Sequence, residues 1–142
     1  MPVEKRKMLE QLHTSDAVFE GKKVLIVDDD VRNVFAITSM LERHGMVVRY
    51  ATNGREAISS LESDPTAEVV LMDIMMPEMD GYETTRAIRK IPEFASLPII
   101  ALTAKAMKGD RERCLEAGAS DYLAKPVNTE QLLSALRMWL HR

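Results

Sequence analysis

Residues 23–30 read KVLIVDDD, and residues 68–73 read EVVLMD. Each is a short aliphatic and β-branched run that ends on acid, and each is too brief for a helix. A strand apolar at every position is buried on both faces, a condition met by a parallel sheet covered with helices on either side. Outward from these two runs the same alternation continues. After the first, Val31, Val34, Phe35, Thr38 and Leu41 recur at helical spacing, and Gly45 stands where a helix stops. Met46–Tyr50 (MVVRY) reads as a second strand. Asn53, with Glu56 three residues on, has the pattern of a helix cap and opens a helix to about Leu61. Glu68–Met72 is the third strand, and Asp80 with Glu83 opens a helix to about Lys90. Pro98–Leu102 (PIIAL) is the fourth, followed by a helix from about Met107 to Ala117 that Gly118 ends. Asp121–Ala124 (DYLA) is the fifth, and Asn128 caps a last helix with a stripe of Leu132, Leu133, Leu136, Trp139 and Leu140.

Five strand–helix units in succession predict an α/β fold: a (βα)5 doubly wound, five-stranded parallel sheet of flavodoxin-like type, strand order 2-1-3-4-5. The 142 residues suit one domain, read as 21–142, with residues 1–20 as an N-terminal linker or short helix. In that segment Met8, Leu9 and Leu12 share one side. Nineteen basic against 22 acidic side chains give a net charge of −3, which supplies no field for direct nucleic-acid binding. The single Cys114 excludes an internal disulfide and a multi-cysteine zinc site. No apolar run approaches the roughly 18–20 residues that span a bilayer, and MPVEKRKMLEQ lacks a signal-peptide core. A cytoplasmic location without membrane contact is expected.

In such folds ligands bind outside the carboxyl ends of the strands. Strand one ends in Asp28, Asp29 and Asp30, strand three in Asp73, strand four in Thr103, and strand five in Lys125-Pro126. Asp30 is expected to cap the first helix. Asp28, Asp29 and Asp73 would otherwise repel one another, and their hard oxygens suit Mg²⁺. A carboxylate at the edge of a dry core is a possible nucleophile towards phosphorus, with Lys125 as a second positive charge and the Thr103 hydroxyl as a donor.

These residues resemble the receiver domain of two-component response regulators. The likeness spans about residues 22–141 and rests on Asp28-Asp29, the string DIMMPEMDG at 73–81, Thr103-Ala104 and Lys125-Pro126. GKKVLIVDDD is most similar to the receiver modules of hybrid sensor histidine kinases. The resemblance implies that Asp73 is the phosphoacceptor, and that Asp29, Asp28, Asp73 and the backbone carbonyl of Met75 hold Mg²⁺. It implies that Thr103 and Lys125 bind the phosphoryl group beside the small Ala104. It places Tyr122 at the rotamer-switch position, makes the Lys125–Pro126 bond cis, and gives Met75 and Lys105 a part in phosphoryl lifetime. It implies a switching surface of helix four, strand five and helix five; the low helix propensity of Gly109, early in helix four, is expected to make that region pliable. The implied partner is a histidine kinase dimerisation domain or a histidine phosphotransfer domain, docked near Asn33, Val34, Ile37 and Pro126, with the isolated domain a monomer.

Three other readings stand beside this one. The chain could be a stand-alone regulator, or an interaction module never phosphorylated. A haloacid-dehalogenase-type phosphatase would use Asp28 as nucleophile with Asp30 two residues on, but Arg32 then stands where that motif wants Thr or Val. Neither a P-loop, nor G-x-G-x-x-G, nor an EF-hand order occurs.

Overall fold

The computed structural model describes residues 18–76, 79–104 and 109–140. In chain order the elements are β1 (Lys23–Val27), α1 (Val31–Glu42), β2 (Val47–Ala51), α2 (Gly54–Ser63), β3 (Val69–Asp73), α3 (Gly81–Arg89), a 3₁₀ turn (Pro92–Phe94), β4 (Ile99–Thr103), α4 (Asp110–Ala117), β5 (Asp121–Ala124) and α5 (Thr129–Leu140). The five strands form one sheet in the order β2-β1-β3-β4-β5, every neighbouring pair parallel.

Alternate strand residues feed two cores. Val24, Ile26, Leu71, Ile100 and Leu102 meet Val34, Ile37 and Leu41 of α1 and Leu132 and Leu136 of α5. On the opposite face, Leu25, Val27, Val70 and Met72 meet Ala57, Leu61 and Ile88 of α2 and α3. A smaller cluster joins Ile74, Tyr82 and Ala101 to Cys114 and Ala117 of α4. The helix caps are those the sequence marks. Asp30, Asn53 and Asp80 side chains accept from the amides of Arg32, Glu56 and Glu83, and Asn128 accepts from Glu130. Positive φ at Gly45 (82°) and Gly118 (111°) turns the chain after α1 and α4.

Three strands sit one residue later than their apolar runs. β2, β3 and β4 end on Ala51, Asp73 and Thr103, because the ladder continues past the last large aliphatic residue. Asp73 pairs opposite Leu102, Thr103 opposite Ala124, and the Lys125 amide donates to the Thr103 carbonyl at 2.7 Å. Pro98 drops out at the other end, having no amide to give. Two polar residues at the rim are therefore held by strand hydrogen bonds rather than by loops. α4 begins at Asp110 with Gly109 at its N-cap and no side-chain cap; its expected start at Met107 lies outside the described residues, as does the helix read over Glu4–His13.

The folded body begins before residue 21. Phe19 is 1% exposed and packs into the core of α1 and α5 with Leu41, Met46, Leu136 and Leu140. Its ring meets His44 edge-on at 5.7 Å between centroids, and the Arg137 guanidinium lies 5.5 Å above it. The Gly21 amide then donates to the Gly45 carbonyl at 2.8 Å. Residues 18–20 belong to the domain, not to a linker.

Candidate functional site

The rim is assembled from four strand ends. Asp28, directly after β1, is fully buried; Asp29 beside it is exposed; Asp73, the last residue of β3, is 2% exposed. One carboxylate oxygen from each of the three falls within 4.8 Å of the others. Lys125, directly after β5, reaches into the group. Its Nζ is 3.2 Å from Asp28 Oδ2 and 3.1 Å from Asp73 Oδ1. Asp28 Oδ1 accepts from the Asp30 amide at 2.9 Å, and Asp73 Oδ1 accepts from the Met75 amide at 3.1 Å.

The charges are unbalanced. Burial pushes the Asp73 carboxyl up to about 6, helped by the charge of Asp28, against hydrogen bonds from Lys125 and the Met75 amide that pull it down. Burial works against the Lys125 ammonium, but its hydrogen bond and charge contact with Asp73, and the charge of Asp28, outweigh it and hold the ammonium above its ordinary range. Three carboxylates against one ammonium leave an excess of negative charge in hard oxygen donors. That donor set fits a divalent ion of the Mg²⁺ class, which takes one or two carboxylates and keeps waters and phosphate oxygens.

The loop after β3 is shaped by Gly81. Its amide donates to the Ile74 carbonyl at 3.1 Å, holding the start of α3 against the end of β3. A Cβ at this position would strike the Asp73 carbonyl and come within 2.6 Å of the Ile74 Cα. Only glycine allows α3 to start this close beneath Asp73.

The remaining residues singled out in the sequence divide. Thr103 is buried at the end of β4, and Ala104 is exposed next to it. Tyr122 lies opposite Ala101, half-buried against the α4 cluster, with the Arg111 guanidinium 5.8 Å from its ring centroid. Met75 is exposed on the loop. The Lys125–Pro126 bond is cis, and Pro126 is exposed. Lys105 lies outside the described residues. Val34 and Ile37 do not form an outer face: they are 5% and 3% exposed and pack on the sheet. The buried stripe of α1 is Val34, Ile37 and Leu41, which turns Val31 and Phe35 to the outside, where Tyr50 of β2 joins them. Asn33 points back into the site, its Nδ2 donating to Asp28 Oδ2 at 3.2 Å. The sequence carried a hint of this, since Asn33 falls three residues beyond Asp30 and one turn into the helix.

Residues 24–137 match the response regulator receiver domain family. The chain belongs to this family, the receiver domains of two-component signalling. It is 40% identical to Protein PilH of Pseudomonas aeruginosa over 114 residues, 80% of this chain and 93% of PilH. It is 40% identical to the signal transduction histidine-protein kinase BarA of Escherichia coli over 113 residues, 80% of this chain and 12% of BarA. The chain thus spans nearly the whole of one relative and a small part of another. Among solved structures, the receiver domain of the sensor histidine kinase PA1611 of Pseudomonas aeruginosa superposes with a TM-score of 0.79 at 41% identity, covering 86% of this chain and 99% of that one; it holds magnesium in its active-site cleft. The receiver domain of Ssk1 from Saccharomyces cerevisiae, crystallised with the histidine phosphotransfer protein Ypd1, gives 0.78 at 30% identity over 84% of this chain and 89% of the matched chain.

Proposed function

We propose that this chain accepts a phosphoryl group from a phosphohistidine onto Asp73. The observation that carries the reading is the bridge of Lys125 between Asp28 and Asp73. It sets one ammonium between two buried carboxylates, where it steadies Asp73 and would share a phosphoryl group formed there. An Asp73 oxygen attacks phosphorus, the P–N bond to the donor imidazole breaks, and the imidazole leaves with the bonding pair and takes a proton. Asp28, Asp29, Asp73 and the Met75 carbonyl are the residues that would hold Mg²⁺, which when bound neutralises charge building on the phosphoryl oxygens. Lys125 and the Thr103 hydroxyl hold the product from the other side, with Ala104 leaving room beside it. An aspartyl phosphate carries roughly −1.5 to −2 charge, so Thr103 and Lys125 are drawn inward and their loops pull on α4 and β5. Tyr122, on β5 and packed against the cluster that includes α4, follows with its ring. Met75 and Lys105 set how readily water reaches the product.

The donor is a histidine phosphotransfer domain or a kinase dimerisation helix, seated beside Asn33 and Pro126. The exposed Val31, Phe35 and Tyr50 line a hollow of about 230 Å³ on the outer face of α1 and supply an apolar contact for it. We place the chain in the cytoplasm, as the receiver module of a hybrid sensor histidine kinase, a context favoured by the likeness to the PA1611 receiver. Among the described residues no helix is long and apolar enough to cross a membrane.

Incubation with acetyl phosphate and Mg²⁺, followed by intact-mass measurement, tests the reading. One phosphoryl group on the wild type and none on Asp73→Ala is the expected result. A wild type that gains none would make the chain an interaction module only. Phosphoryl trapped on Asp28 would move the nucleophile to β1 and favour a phosphatase.

A further inference from the structure

A fully buried carboxylate is stable only when its oxygens are hydrogen-bonded, and three donors reach Asp28. The Asp30 amide is on Oδ1 at 2.9 Å; Asn33 Nδ2 and Lys125 Nζ are both on Oδ2 at 3.2 Å. Two of the three belong to the start of α1, where Asp30 is the N-cap and Asn33 sits in the first turn. Lys125 is different in kind, because the same Nζ is 3.1 Å from Asp73. Whatever forms at Asp73 competes for that ammonium. Of the side-chain donors described on Asp28, Asn33 alone is not shared with Asp73.

We propose that Asn33 is a positioning residue for the metal site. Its amide fixes the orientation of the Asp28 carboxylate while Lys125 exchanges one partner for another, so the ligand set of Asp28 and Asp29 keeps its shape through the reaction. The inference rests on the reading of Asp28, Asp29 and Asp73 as Mg²⁺ ligands. It gives Asn33 a place in the chemistry and not only on a docking face. Groups that orient a metal's ligands typically weaken binding by 10-fold or more when lost. Asn33 is half-buried on a helix, so alanine there keeps the fold.

The test is a titration of Mg²⁺ alone, followed through the backbone amide shifts of residues 28–30, on the wild type, Asn33→Ala and Asn33→Gln. Asn33→Ala is expected to bind Mg²⁺ about ten-fold more weakly. Asn33→Gln, which keeps an amide donor, is expected to recover most of the loss, while Asn33→Ala lowers the metal-free melting temperature by no more than about 5 °C, the scale of one hydrogen bond to a carboxylate that keeps two others. Affinity of Asn33→Ala within about two-fold of the wild type overturns the proposal, as does a glutamine variant as weak as the alanine one. A glutamine variant that recovers affinity only in proportion to its melting temperature, or an alanine variant that melts well below that limit, assigns Asn33 a merely structural part and overturns it too. A wild type that binds no Mg²⁺ sinks the metal reading itself, and the proposal with it.

Discussion

Lys125 Nζ lies 3.1 Å from Asp73 Oδ1, although one residue follows the last strand of the sheet and the other ends its central one. The contact ties β5 to β3 across β4 and shields a carboxylate that has almost no access to water. Removing the ammonium strands two buried acids. Lys125→Met is expected to lower metal-free stability at pH 7 by about 3–5 kcal/mol, the scale of a broken buried ion pair. The deficit should shrink at pH 5, where Asp73 can take a proton. Urea unfolding at the two pH values checks both parts, and a deficit independent of pH would contradict the account.

The same carboxyl predicts how the unaltered chain responds to pH. Asp73 titrates at about 6 in the fold against an ordinary 3.8, so between those values the folded state binds the proton more tightly than the unfolded one. Stability is therefore highest at the acid side of that window and falls as pH rises through it, by on the order of 1–3 kcal/mol. Lys125 does not offset this, because its pKa is raised from an already alkaline 10.5 and its contribution is lost only at higher pH. Mg²⁺ bound at pH 7.5 should flatten the slope, since the cation favours the ionised form. Urea midpoints at pH 5 and 7.5, with chelator and with Mg²⁺, measure it.

Much of this site was written in the sequence, for a physical reason. In a parallel sheet whose strands are apolar throughout, the first polar residue after each strand is forced to the rim, so Asp28, Asp73, Thr103 and Lys125 could be placed together from the ends of four runs. The capping residues Asp30, Asn53, Asp80 and Asn128 were legible because a cap acts within three residues. What was not legible depends on contacts distant in the chain. Phe19 looks like one aromatic residue in a mixed segment, and nothing local says that α5 covers it. On α1, Val34 and Phe35 are adjacent apolar residues, and only the way the helix is rolled on the sheet decides which is core.

Phe19 gives the clearest stability test of that hidden boundary. Phe19→Ala is expected to cost about 3–5 kcal/mol, the range for emptying a buried aromatic site. A chain begun at Gly21 should melt well below one begun at Val18. Equal melting curves would return residues 18–20 to a linker.

Gly81 links loop geometry to Asp73. Because its missing side chain faces the carbonyl of Asp73 and the Cα of Ile74, Gly81→Ala must displace backbone rather than the flexible end of a side chain. A loss of about 1–3 kcal/mol is expected from the overpacking. The rate of phosphorylation by acetyl phosphate should fall along with it, because the strand end that presents the carboxylate is what moves. A variant that loses stability but keeps the full rate would show that the strain is absorbed by α3 instead.

The roll of α1 makes opposite predictions for neighbouring positions. Phe35 is 74% exposed and Ile37 is 3% exposed. Phe35→Asp removes an apolar contact from the outer face and leaves the core untouched. Its melting temperature and its labelling by acetyl phosphate should match the wild type, while transfer from a phosphorylated histidine phosphotransfer domain should slow at limiting concentrations of that domain. Ile37→Ala should do the reverse, with a loss of about 2–4 kcal/mol from the core and transfer unimpaired once folded. If Phe35→Asp transfers as fast as the wild type under those conditions, the partner approaches over a face other than the outer side of α1, and the hollow beside Tyr50 has no part in docking.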